Sequence, residues 1–217
     1  MKKLLLAAAV AFFAGVNAQT TGSNLDGTTF ITGRVGYDYM KDNNTNTTVH
    51  NYSFMPTIAT FVSANWAIGG GIGFQGNTSD VSMDIMGYTL AAEQTNTSFV
   101  IQPFARRYWD LNNKLYFFGQ IDVPVSFGKM ETEVEIPAAL AGIVPANSFN
   151  TEDKYTSVGV FVRPGLDYFI NENWSLEATI GAVGYSNMKP ENGKSVDNFS
   201  IGVDMSNIMF GVKYLFK

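Results

Sequence analysis

Charge in this chain keeps to one side of an alternating pattern. Eight segments, 29–40, 51–63, 66–76, 98–109, 114–129, 154–169, 174–186 and 206–217, alternate apolar with polar or small residues. A period of two is that of a β-strand with two different faces. One face carries Ile31, Val35, Tyr37, Phe54, Ile58, Ile72, Phe99, Phe117, Ile121, Val160, Leu176 and the closing row Ile208, Phe210, Val212, Tyr214 and Phe216. Between the segment ends it holds no Asp, Glu or Lys, and its one charge is Arg107, beside a turn. The other face carries Arg34, Asp38, Arg106, Asp122, Arg163, Asp167, Glu177 and Lys213, four groups of each sign, with Thr32, Gln102, Gln120 and Thr179. A face open to water has no need of balanced charge, whereas an enclosed one must pair its ions. The apolar face is also too aromatic to fit inside a small barrel. The pattern therefore predicts that the apolar side faces outward, to lipid.

The connections support this. Three are tight, at 63–66, 109–114 and 170–174, and four are long, at 41–50, 77–97, 130–153 and 187–205. Short and long alternate strictly, as periplasmic turns and extracellular loops do in outer-membrane barrels. Trp66, Trp109 and Trp174 all lie at the tight turns, where an interfacial aromatic belt belongs. Pro56, Pro103 and Pro164 each precede a turn Asn by nine residues, at Asn65, Asn112 and Asn173. A Pro lacks a ladder donor, so each is expected to mark a bulge near the outer rim, or a strand that begins later.

Residues 1–18 read as a cleaved secretory signal peptide: Lys2 and Lys3, an apolar run from Leu4 to Val16, then Ala18 at the cleavage site. A short segment, 19–28, precedes a barrel over 29–217. Removing Lys2 and Lys3 leaves 12 basic against 19 acidic side chains, which argues against a nucleic-acid partner. There is no Cys, hence no disulfide or thiolate metal site. No later run is long and apolar enough for a transmembrane helix. Strands that cross lipid must close on one another, because an open edge leaves backbone groups unsatisfied. The fold class expected is all-β: an eight-stranded antiparallel up-and-down transmembrane β-barrel.

"PFARRY" at 103–108, the Trp-bearing turns and the aromatic C-terminal strand carry a family likeness. Over 28–217 the chain resembles the small outer-membrane β-barrel domains of the OmpA, OmpX, OmpW and opacity-protein type. The resemblance implies a bacterial outer-membrane location, with outer-membrane lipid and lipopolysaccharide as surroundings. It also implies that Phe210, Tyr214 and Phe216 form the strand read by the barrel-assembly machinery, here with Phe216 penultimate.

Eight strands enclose an interior just wide enough for side chains, so the eight inward charges are expected to fill it as a paired plug. Gly69, Gly71 and Gly73 would leave room for long Arg side chains. The alternative is a narrow ion path along the same charges. No catalytic, cofactor or metal site is expected. His50 and Ser53 are three residues apart, on opposite faces of a strand. Asp80, Asp84 and Glu93 lack calcium-loop spacing. Glu131, Glu133 and Glu135 read as a solvated strand extension that leaves open a bridge through divalent cations to lipopolysaccharide. Residues 81–92 and 136–146 are apolar for loops, and suit a cap on the mouth, an extracellular partner or a small apolar ligand. The reading is a non-enzymatic barrel with structural or surface-interaction roles; the competitor is a porin-like narrow channel or a conduit for small hydrophobic molecules.

Overall fold

The computed structural model describes residues 25–85, 88–135, 150–202 and 208–216. The leader expected over 1–18 and the apolar segment 136–146 lie outside the described residues. Eleven strand segments are present among them: β1 (Thr29–Asp42), β2 (Thr47–Ser63), β3 (Trp66–Ile85), β4 (Tyr88–Asn112), β5 (Leu115–Asp122), β6 (Val125–Glu135), β7 (Thr151–Phe169), β8 (Trp174–Ile180), β9 (Ala182–Pro190), β10 (Val196–Gly202) and β11 (Ile208–Phe216).

They form one antiparallel ring of eight staves. β1 to β4 pair in sequence, and β5 and β6 lie end to end between β4 and β7. β8 and β9 make the next stave, against β7. β11 pairs β8, β10 pairs β9, and β11 returns to β1 to close the ring. Two interruptions have local causes. Pro124 has no N–H for the ladder between β5 and β6. Gly181 separates β8 from β9 at φ +67°, a conformation that a side chain disfavours.

Parity sorts as expected. Phe210 is 74 % exposed, while Arg106 and Glu177 are 3 % and 5 % exposed. The exposed row runs through Ile31, Phe54, Ile58, Ile72, Phe99, Val160 and Leu176, which is the lipid-facing wall.

Much of what reads as long loop is strand. β3 and β4 extend to Ile85 and Tyr88 and pair through most of 77–97. β1 and β2 pair up to Asp42 and Thr47, and β6, β7 and β9 also run past their expected ends, to Glu135, Thr151 and Pro190. Residues 196–202 form β10 rather than loop. Above the membrane both faces of a hairpin are wet, so the two-faced alternation that marks a half-buried strand disappears. Thr-rich stretches such as 95–97 keep the β-preference without the pattern.

Two of the three prolines depart from expectation. Pro56 pairs with Gly33 and Pro103 with Gly70 at unbroken register and well below the outer rim. Pro164 keeps register with Gly119 on one side, but on the other the pairing of β7 with β8 and β9 slips by one residue between Gly165/Thr179 and Val162/Val183. Further register shifts fall beside the tight turns, at Phe61/Ser63 and Asp110/Asn112. At Pro56 the β2–β3 ladder skips Met55 and Pro56 and resumes in the same register. Outward proline opposite outward glycine leaves a shallow apolar depression in the wall, of about 770 Å³, around Pro56, Gly70 and Pro103.

The inward glycines also behave differently from the expectation. Cβ atoms at Gly71 and Gly73 would meet Thr57 Oγ1 at 2.8 Å and the Met55 thioether at 2.7 Å, so Met55 and Thr57, rather than Arg side chains, use that space. At Gly69 a Cβ would lie 2.3 Å from both Ala59 Cβ and the Ile58 carbonyl oxygen, whereas at Gly70 nothing lies nearer than 3.8 Å. Gly69→Ala should therefore destabilise by about 1–3 kcal/mol through overpacking. Gly70→Ala should be neutral or stabilising by up to about 1 kcal/mol, since it only restricts the unfolded chain. Urea midpoints of the two variants in detergent check the contrast.

Candidate functional site

The lumen has two floors. The lower one, toward the tight turns, is an aromatic and aliphatic packing of Phe30, Phe61, Phe104, Tyr108, Tyr116, Phe118 and Leu215, all buried. Leu25 seals it from beneath, where the segment before β1 is tied to β2: Gly27 N–H donates to the Phe61 carbonyl and Phe61 N–H to the Thr28 carbonyl, each at 2.9 Å. These aromatics occupy inward positions that sequence reasoning passed over. Their signal is a loss of alternation in "LYFF" (115–118) and around 104–109, where both parities are apolar. One parity meets lipid and the other meets the filling.

On this floor stands the ionic network. Arg106 Nη1 is 2.6 Å from Glu177 Oε2, and Arg106 also donates through Nε and Nη2 to Gln120 Oε1 at 3.0 and 2.8 Å. Gln120 Nε2 donates to Asp122 Oδ1 at 3.1 Å, and Asp122 accepts from Arg163 Nε at 2.8 Å. Lys213 pairs with Asp167, both wholly buried, and reaches the Tyr108 hydroxyl at 3.4 Å. Arg106 Nη1 donates to the same hydroxyl at 3.1 Å, so Tyr108 links two of the ion pairs. The cations also lie over rings: Arg106 is 4.1 Å from the Phe118 centroid and Lys213 4.8 Å from that of Phe30. Such contacts are worth most where water is excluded.

Six of the eight expected charges thus form three ion pairs. Among the described residues Arg34 joins through Gln102 Oε1, at 3.5 Å. Asp38 is not part of the network. It sits four residues above Arg34, roughly 13 Å along the strand, and is exposed in the upper lumen. There the barrel opens into a polar vestibule of about 250 Å³ lined by Asp38, Asn51, Ser53, Gln75, Asn77 and Asn96. Between the floors, the free space beside Arg34, Gln102, Arg106 and Glu177 falls to about 20 Å³. That is room for about one water molecule.

The three Trp residues sit at the tight-turn end in unequal settings. Trp174 is 45 % exposed and meets Tyr214 edge-on at 4.8 Å. Trp66 is half-buried, and Trp109 is buried against Phe117 at 5.4 Å. Arg107, the charge beside the turn, is buried between Trp66 and Trp109, 5.6 and 5.3 Å from their rings. On the closing strand Phe210 and Phe216 face outward, with Tyr214 edge-on to Phe216 at 4.9 Å.

His50 lies on β2, not in a loop, with Nδ1 3.2 Å from the Tyr37 hydroxyl and its ring 5.0 Å from Tyr39. Ser53 faces the vestibule on the other side of the strand. Among the described residues no group of three or more His, Cys, Asp or Glu comes together as a metal site.

No curated protein matches the chain. Among solved structures it is similar to OprG from Pseudomonas aeruginosa, at 16 % identity and TM-score 0.43, over 91 % of this chain and 99 % of that one. It is also similar to Ail, the attachment invasion locus protein of Yersinia pestis, at 15 % identity and TM-score 0.35, over 88 % and 99 %. Residues 4–216 match a family described as the outer membrane protein β-barrel domain. The ring of strands, the lipid-facing wall and this match over nearly the whole length agree: the chain belongs to the outer membrane protein β-barrel domain family and is a bacterial outer-membrane barrel.

Proposed function

We propose that this protein is a non-enzymatic surface barrel whose lumen is a structural filling and whose extracellular hairpins carry its interactions. The observation behind this reading is the lower lumen, where Phe30, Tyr108, Phe118, Asp122, Asp167 and Lys213 all have 1 % exposure or less. A through-path would have to displace packed rings and break ion pairs, each costing kcal/mol-scale free energy. The vestibule and the hairpins above it are left as the accessible surface, and an extracellular partner would meet them there. The barrel-assembly machinery would read the outward aromatics Phe210, Tyr214 and Phe216. Planar-bilayer recording tests the filling. The purified protein should show no discrete conductance steps. Stable steps whose size changes in Asp122→Ala or Arg163→Ala would replace the filled barrel with a channel.

A second reading has one specific observation in its favour. β1 pairs with β2 along all of Thr29–Asp42 but with β11 only over Thr29–Gly33. Arg34–Tyr37 have no ladder to the described residues Ile208–Gly211, so at that level the vestibule would have a side toward the outer leaflet. A small apolar molecule entering from above would leave sideways there without crossing the filling. Flux of an uncharged aromatic solute into protein-bearing bilayers, with no ionic current, would favour this conduit over the surface role.

A further inference from the structure

We propose that the outer wall carries a docking site for a phosphorylated glycolipid of the extracellular leaflet, lipopolysaccharide, held by Lys129, Lys154 and Lys189. Lys129 on β6 and Lys154 on β7 are directly opposite one another in the strand register. Like charges so placed repel unless an anion lies between them. Thr156, the next outward residue on β7, pairs with Lys189 of β9, which brings a third ammonium to the same level. Their parity is that of Phe127 and Val158, so all three belong to the outside of the barrel and not to the lumen.

The three lysines border a hollow of about 730 Å³ in the wall whose lower side is Phe74, Phe99 and Phe127. This is an ammonium tier directly above an aromatic tier, on the side of the long hairpins and away from the Trp-bearing turns. The ligand that fits is an amphiphile with phosphate at its polar edge and acyl chains below. The nearby carboxylates do not neutralise the tier. Glu131 is 2.7 Å from Lys129, and Glu191 borders the hollow. Among the described residues no carboxylate lies within ion-pair distance of Lys154 or Lys189. The next tier up is acidic: Glu131 opposes Glu152, and Glu133 opposes Glu93. In a chain of net negative charge, a cationic band confined to the lipid–water boundary selects an anionic headgroup at that depth.

The test is a binding titration of the full-length barrel in detergent with four probes: bis-phosphorylated lipid A, the same lipid A without phosphates, phosphatidylglycerol and inorganic phosphate. Bis-phosphorylated lipid A should bind best. The triple variant Lys129→Gln/Lys154→Gln/Lys189→Gln should weaken it about tenfold or more, with the heat-dependent gel shift of the folded barrel unchanged. Dephosphorylated lipid A should bind wild type no better than the triple variant binds the phosphorylated form, and phosphate alone should not compete. Unchanged affinity in the variant, equal binding of phosphatidylglycerol, or displacement by millimolar phosphate would each overturn the assignment. If the triple variant fails to fold, Lys154→Gln and Lys189→Gln, both exposed, must each weaken binding severalfold; no change in either would be equally fatal.

Discussion

Asp167→Ala should lose about 3–5 kcal/mol of stability, the cost of leaving one partner of a buried pair uncompensated. Lys213 is wholly buried, on a strand whose other inward neighbours offer no second carboxylate in contact: Glu177 is engaged by Arg106. Without Asp167, the ammonium keeps, among the described residues, the Tyr108 hydroxyl and the faces of Phe30, Tyr108 and Phe169. The double variant Asp167→Leu/Lys213→Met should recover most of the loss, because a buried ion pair replaced by apolar groups of similar size is often neutral or better. Urea unfolding in detergent, followed by the heat-dependent gel shift, gives both numbers. Equal destabilisation in the single and double variants would show that packing volume, and not charge, sets the cost at this position.

Phe118→Ala should cost a similar amount by another route. The ring is fully buried and joins both halves of the filling: it lies 5.8 Å from the Tyr108 ring and stacks beneath the Arg106 guanidinium. It also covers Gly165, where a Cβ would come within 2.3 Å of the Phe118 ring tip. Deleting the ring removes its transfer free energy and leaves a cavity, together about 3–5 kcal/mol. The paired variant Phe118→Ala/Gly165→Phe, which returns an aromatic from the facing strand, should regain part of the stability if the cavity is the cause. The backbone carbonyl of Ala178, 2.6 Å from a Cβ at Gly165, limits how much. Thermal midpoints by near-ultraviolet circular dichroism follow the pair.

The ionic network is better described as a specific filling than as a source of net stability. Among the described residues, the second carboxylate oxygens of Asp122 and Asp167 and the hydroxyls of Ser175 and Thr179 are buried without a hydrogen-bond partner in the protein. A buried group of this kind costs about 1–3 kcal/mol wherever water does not reach it. An apolar filling of the same volume would avoid that cost, but inward apolar residues on every strand would erase the difference between the two faces, and register in a barrel depends on that difference.

The outer wall was legible residue by residue. Strand alternation fixes which side chains share a face, and a charged set of both signs opposite an aromatic set admits one inside and one outside. Ile31, Phe210 and Arg106 therefore stand where parity alone puts them. The aromatic lower floor was not legible, because Phe30, Tyr108 and Phe118 are apolar on the parity reserved for polar groups, and a run apolar on both parities does not say what covers either side. The extent of the hairpins was hidden for the opposite reason: two wet faces carry no alternation. Closure was expected from the sequence, but not which residues it brings together. It is the three-dimensional ring that makes neighbours of Glu177 and Arg106, 71 residues apart, and of Lys213 and Tyr108, 105 apart. Periodicity is a property of one strand and survives in the sequence, whereas ion pairing and the lysine tier depend on how strands align around the barrel, and only the tertiary structure decides that.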